Sequence, residues 1–141
     1  MDLTKEQILQ ECNKICKDTL METLAIHFCD VGEDYLVAKM PVTSRVYQPD
    51  KVLHGGAMVA LAESVGSAAS MIFLNSSEFY IRGIEISANH VKSIREGYVY
   101  ATARAVHRGR TTQLWDIKIK DENEQLISSV KLTTIALPKN K

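Results

Sequence analysis

The chain has 141 residues, of which 45% are hydrophobic and 24% charged, with 7 Gly and 3 Pro, a composition that excludes disordered and fibrous classes. At this length a globular chain buries roughly 68% of its unfolded surface, so a hydrophobic core suffices without a metal or disulfide staple. Lys plus Arg and Asp plus Glu are both 17, so the formal net charge is zero, and a nucleic-acid partner held by bulk charge is not expected.

The first segment, Met1 to Glu6, has no apolar run of the kind a secretion signal needs, so none is expected. Thr4 followed by Glu6-Gln7 resembles a helix N-cap, and Ile8, Leu9, Cys12, Ile15 and Cys16 recur at helical spacing, which predicts an amphipathic helix over 4–17. The three cysteines cannot all pair within one chain, and Cys12 and Cys16 lack a CxxC spacing; reduced thiols and a cytoplasmic location are the expectation. Strands are predicted over 24–31 and 35–42, joined at the turn-forming Gly32-Glu33-Asp34, and 43–53 reads as irregular around Pro49-Asp50.

Residues 56–74 form the next predicted helix, stopped by Asn75-Ser76-Ser77. Small residues surround nearly its whole circumference, so it is expected to be enclosed on almost all sides. The stretch 55–74 carries one charge, Glu63, but its Ser, Gly and Ala content and its lack of basic flanks favour a buried helix over a membrane span. Four strands follow, over 81–94, 97–108, 111–121 and 125–137, with turns at Glu96-Gly97, Gly109-Arg110 and Asp121-Glu122-Asn123. In the third of these Trp115, Ile117 and Ile119 alternate with Asp116, Lys118 and Lys120, the mark of a half-solvated antiparallel strand. The expected fold is α+β: a six-stranded antiparallel sheet wrapped around one long helix, as one domain over 1–141.

Chemistry concentrates where Gln48-Pro49-Asp50-Lys51-Val52-Leu53-His54-Gly55-Gly56 runs into that helix. Glycines at a helix entrance expose free amide donors at the positive end of the helix dipole, where an oxygen gaining negative charge is stabilised. Neither GxxxxGK[ST] nor GxGxxG is present, so a nucleotide-phosphate motif is not supported. Glu63 is a carboxylate inside an otherwise uncharged helix, which is costly unless it is ion-paired or works as a general base or nucleophile. Ser67 lies one turn later on the same face. His90 shares a strand face with Ile84, Ile86 and Ala88, which makes it an inward polar candidate. The four histidines form no HExxH or His-Cys cluster, and no GxSxG elbow occurs, so neither metal catalysis nor a serine-hydrolase triad is expected.

The element order and the string His54-Gly55-Gly56 … Glu63-Ser64-x-Gly66-Ser67 resemble the hotdog-fold acyl-CoA thioesterases. The resemblance is to the branch of 4-hydroxybenzoyl-CoA and 1,4-dihydroxy-2-naphthoyl-CoA thioesterases, rather than to the phenylacetyl-CoA branch, which carries Asp at the position of Glu63. It extends through Gly83 to Ser93 and Arg95-Glu96-Gly97. It implies that Glu63 attacks the thioester carbonyl or activates water, that the Gly55 amide polarises the carbonyl oxygen with help from His54 and Gln48, and that Ser67 positions water or Glu63. It further implies that Gly83, His90, Val91, Lys92 and Ser93 contact an acyl-CoA or aroyl-CoA substrate, together with His107, Arg108, Gly109, Arg110, Thr111 and Thr112. Lys92, Arg108 and Arg110 have a physical reason of their own, because clustered cations bind the phosphates of CoA.

No cofactor, nucleic acid or membrane is expected. A hotdog hydratase would carry a catalytic His on a Gly-His-Phe-Pro loop, absent here; a non-catalytic acyl-CoA sensor would not need Glu63 with Gln48 and His54. The acyl group is not readable, although Met58, Met71, Phe79 and Tyr80 stand where they could line its pocket. Gly55 and Glu63 are eight positions apart, roughly 12 Å along a helix, too far for both to reach one carbonyl. Two antiparallel copies of the helix about a two-fold axis would close the gap, and the resemblance likewise implies a homodimer assembled into a homotetramer.

Overall fold

Thr4 opens the first helix with a capping box: its hydroxyl accepts the Gln7 amide N–H at 3.1 Å, and Gln7 Oε1 accepts the Thr4 N–H at 2.8 Å. The computed structural model describes residues 2–75 and 77–139. Helix α1 (Lys5–Lys14) is shorter than the expected 4–17, because the chain turns at Asp18, with φ of 63°, and starts a one-turn helix α2 (Leu20–Thr23) capped by Thr19. Closure of α2 through Ala25, with φ of 59°, delays the first strand, which begins at His27 and not at 24.

The strands are β1 (His27–Val31), β2 (Tyr35–Pro41), β3 (Phe79–His90), β4 (Tyr98–Arg108), β5 (Thr112–Lys120) and β6 (Leu126–Pro138), with a 3₁₀ turn at Ser44–Val46 and helix α3 (Gly55–Leu74) before β3. All pairs are antiparallel, in the order β1-β2-β4-β5-β6-β3. The sheet wraps α3, which packs on β2 through β6. Leu61, Ala62, Val65 and Ala69 of α3 are fully buried against inward residues such as Met40, Ala101 and Ile117. Gly66 lets the helix approach closely, since a Cβ there would collide with Leu132 Cδ2. Trp115, Ile117 and Ile119 face inward as the alternation predicts. Asn75 ends α3 in the left-handed conformation, with φ of 50°; Ser76, in the expected stop, lies outside the described residues.

The two edges of the sheet differ. On β1, Asn13 saturates the Phe28 backbone from α1, its Nδ2 donating to Phe28 O at 3.0 Å and its Oδ1 accepting the Phe28 N–H at 2.8 Å. On β3, no strand among the described residues pairs with the outer edge, and the strand is exposed along most of its length. A register shift between Gly83 and Glu85 pushes Ile84 out of the sheet, so it is 54% exposed instead of sharing the inward face of Ile86 and Ala88.

The expected near-complete enclosure of α3 does not hold for one chain. Gly56, Ala60, Glu63, Ser67 and Met71, spaced by three or four residues, remain only partly covered, and Met71 is 50% exposed. The helix is long and apolar enough to cross a membrane by length and composition, yet here its remaining faces are the core of the sheet. One open stripe remains, on the side of the open β3 edge.

Candidate active site

The loop before α3 is tied down by backbone hydrogen bonds: Gln48 N–H to Val52 O at 2.8 Å, His54 N–H to Val46 O at 2.8 Å and Leu53 N–H to Ile94 O at 2.8 Å. Lys51 takes φ of 66° to make the turn. His54 becomes the N-cap of α3, and its Nδ1 accepts the Gly56 N–H at 2.7 Å. An Nδ1 that accepts fixes the neutral ring as the Nε2–H tautomer. The cap leaves the Gly55 N–H without an acceptor among the described residues, at the positive end of a helix of 20 residues. Gln48 Oε1 accepts the Asp50 N–H, so the Gln48 amide group has its N–H donors left for a ligand. A cavity of about 320 Å³ opens here, lined by Gln48, Val52, Leu53, Gly55, Met58, His90, Val91, Lys92 and Ser93.

His90 sits at the rim of this cavity and not in the interior that its strand face suggested. It lies at the end of β3, exposed, with its ring against the bare Cα of Gly55, where an added methyl would lie 2.9 Å from His90 Nε2. Its Nδ1 meets Ser128 Oγ at 2.8 Å, and the Ser128 hydroxyl donates to Asn89 O at 3.2 Å. With the only hydroxyl proton of Ser128 committed, His90 Nδ1–H is the donor to it, and Nε2 presents its lone pair beside Gly55.

Glu63 is half-buried, not buried, and no cation pairs with it among the described residues. Its carboxylate lies in the space left by Gly83: a methyl there would lie 2.5 Å from Glu63 Oε2. Ser67 is one turn further along the same open stripe. Among the described residues no three His, Cys, Asp or Glu side chains come together to hold a metal ion.

The expected residues therefore fall into separate groups within one chain. Gln48, His54, Gly55 and His90 to Ser93 gather at the start of α3. Glu63, Ser67 and Gly83 lie near its middle. His107 to Thr112 form the β4–β5 turn, closed by Gly109 N–H to Thr112 O at 3.0 Å, at the far end of the helix, where the Arg108 guanidinium lies 5.1 Å over the Phe73 ring. From Gly55 to Phe73 is 18 residues, roughly 27 Å. Lys92 ends near Gln125 Oε1, to which its ammonium donates. Ser70, Gln113 and Thr134, which are not among the residues expected from the sequence, are buried polar groups behind the β4–β5 turn. Gln113 shares the inward parity of Trp115 and Ile117, and a polar residue at such a position was the available signal.

Residues 50–128 match the thioesterase superfamily. The chain belongs to this family. The thioesterase is 43% identical over 129 residues to the 1,4-dihydroxy-2-naphthoyl-CoA hydrolase of Escherichia coli K12, spanning 92% of this chain and 94% of that one. It is 36% identical over 133 residues to the proofreading thioesterase EntH of Cronobacter turicensis, spanning 94% and 96%. The crystal structure of thioesterase HI1161 from Haemophilus influenzae superposes with a TM-score of 0.92 at 35% identity, covering 100% of this chain and 95% of that one. The antiparallel sheet around a long helix is thus the hotdog fold, and the enzyme is a thioester hydrolase.

Proposed function

We propose that this thioesterase cleaves an acyl-CoA or aroyl-CoA to the free acid and CoA, with the carbonyl held at Gly55 of one chain and attacked through Glu63 of a second copy. The carrying observation is that the unsatisfied Gly55 N–H and the unpaired Glu63 carboxylate lie eight positions apart on a helix whose open stripe contains Glu63. Roughly 12 Å separates them along the axis, whereas donor and carboxylate must each come within about 3 Å of the reacting group. A two-fold axis near Val59 sets Gly55 of each copy against Glu63 of the other. It also brings the open edges of β3 together, which accounts for a long edge strand that no other strand among the described residues pairs on its outer side.

The same operation treats the remaining groups consistently. Phe73 of one copy falls level with position 45 of the other, roughly 15 Å beyond the start of that copy's α3. The β4–β5 turn of one chain then approaches the His90 to Ser93 segment of the other, giving one continuous path for the CoA arm past Lys92, Arg108 and Arg110. At the carbonyl, the Gly55 N–H takes the developing negative charge, with Gln48 and His54 beside it. Glu63 either adds to the carbonyl carbon, expelling CoA thiolate and leaving an anhydride that water hydrolyses, or takes a proton from an attacking water that Ser67 orients. Both routes give acid and thiol, and neither uses a cofactor.

Two dimers associate into a tetramer in this reading, and the three free thiols fit a reducing cytoplasm. A thiol-release assay over aroyl- and acyl-CoA esters tests the function. Release from at least one ester class supports it; binding of CoA esters with no thiol from any of them assigns a sensing module instead.

A further inference from the structure

Behind the β4–β5 turn lies a chain of polar groups in an otherwise apolar core. Ser70 on α3 is 1% exposed, Trp115 and Gln113 on β5 are 1% and 2%, and Thr134 on β6 is 0%. Trp115 Nε1 lies 2.6 Å from Ser70 Oγ, Ser70 Oγ 2.7 Å from Thr134 Oγ1, Thr134 Oγ1 2.7 Å from Gln113 Oε1, and Gln113 Nε2 2.8 Å from Gly109 O. The direction of every bond is forced. An indole N–H only donates and a carbonyl only accepts, so Ser70 accepts from Trp115 and donates to Thr134, and Thr134 donates to Gln113. Each hydroxyl proton is used once and none of these groups is left over.

A second tie runs beside the first. The Arg108 guanidinium lies over Phe73 at 5.1 Å, and Phe73 stacks on Trp115 at 5.9 Å and 27°. A guanidinium held over a ring face is attracted by the ring and does not use its N–H donors there, so they stay available to a phosphate. Both ties start in the core around α3 and end on adjacent residues of the turn, Arg108 and Gly109.

We propose that this buried hydrogen-bond chain positions the β4–β5 turn, so that Gln113 and Thr134 act through Gly109 to aim Arg108 and Arg110 at the phosphate-bearing arm of the substrate. The proposal rests on the reading that places the CoA arm at this turn. Breaking the chain loosens the turn without touching Glu63 or Gly55, so it weakens recognition of the CoA arm and leaves the chemical step alone.

The experiment measures kinetics on two thioesters of one acyl group, the CoA ester and the truncated N-acetylcysteamine ester, which lacks every phosphate. Thr134→Val removes the hydroxyl at constant shape, Gln113→Glu replaces the donor at Gly109 O, and Thr134→Ser restores the hydroxyl. Arg108→Gln and Arg110→Gln test the underlying reading on the CoA ester. The expected result is a KM for the CoA ester raised about fivefold or more in Thr134→Val and Gln113→Glu, kcat/KM for the truncated ester within about twofold, and recovery in Thr134→Ser. An unchanged KM in both relay variants, with a raised KM in the arginine variants, overturns the proposal and leaves the turn as the CoA site. Equal losses on the two esters also overturn it, because they report general damage to the fold. An unchanged KM in both arginine variants removes the CoA arm from the turn, and the proposal falls with that reading. Should one relay variant fail to fold, the other gives the same comparison.

Discussion

The carboxylate of Glu63 occupies the volume that a side chain at Gly83 would need, with Oε2 2.5 Å from where a methyl would stand. The colliding atom is the end of a flexible side chain, so the fold can absorb Gly83→Ala by swinging Glu63 aside. We expect a variant of nearly unchanged Tm whose kcat falls about tenfold or more, because a displaced carboxylate no longer meets the carbonyl. A raised KM at unchanged kcat would instead make Gly83 a contact of the substrate arm.

In the proposed reaction Glu63 acts by one of two routes, which solvent oxygen helps to separate. Glu63→Gln should lower kcat by about 10² or more while the protein stays folded. In a single turnover of the wild type in oxygen-18 water, label found first in the Glu63 carboxylate marks the anhydride route. Label in the product acid alone fits activated water or an anhydride opened at its acyl carbon. Trapping with hydroxylamine, which leaves a hydroxamate at Glu63 or on the acyl group only when an anhydride forms, separates the two.

Much of the fold is legible from local pattern. The small-residue helix, the alternation around Trp115 and the turn residues at Gly109 and Asp121 each carry their structural meaning within a few positions. What escaped depends on contacts far apart in the chain. Ile84 has the right parity for the core, but a register shift against β6 turns it out. The four residues of α2 are too short a run to show a period. His90 reads as a core residue by alternation, yet β3 outruns α3 at that point and the ring meets Gly55 at the rim of the cavity. Gly55 at a helix entrance and Glu63 eight positions later, hence their separation along α3, are readable from spacing. The absence of a cation beside Glu63 among the described residues and the remoteness of the β4–β5 turn depend on contacts between distant segments.

Besides the Asn13 bonds to Phe28, helix α1 meets the sheet through Lys5, whose ammonium lies 2.5 Å from Asp30 Oδ1. That hydrogen bond holds the Asp30 carboxyl below its ordinary value of 3.8 and holds Lys5 above its ordinary 10.5. The native state therefore binds fewer protons at Asp30 than the unfolded chain does, so this contribution is complete above pH 3.8 and disappears as pH falls below it. At the alkaline end it is complete below pH 10.5 and disappears as pH rises above it. Asp30→Asn should lower Tm slightly at pH 7, since exposed pairs contribute little, and the gap to wild type should narrow on acidification. A gap that stays constant to pH 2 would contradict the assignment.

The sharing of one site by two chains is tested most directly by complementation. Glu63→Ala and the double variant Gln48→Ala with His54→Ala should each be nearly inactive alone, with losses of about 10² or more. Refolded together in equal amounts, about half of the dimers are mixed, and each mixed dimer has one intact site. Activity should then recover to about a quarter of wild type. No recovery, with mixed dimers demonstrated in the same sample, would place Gly55 and Glu63 of a single chain in one site and contradict the shared arrangement.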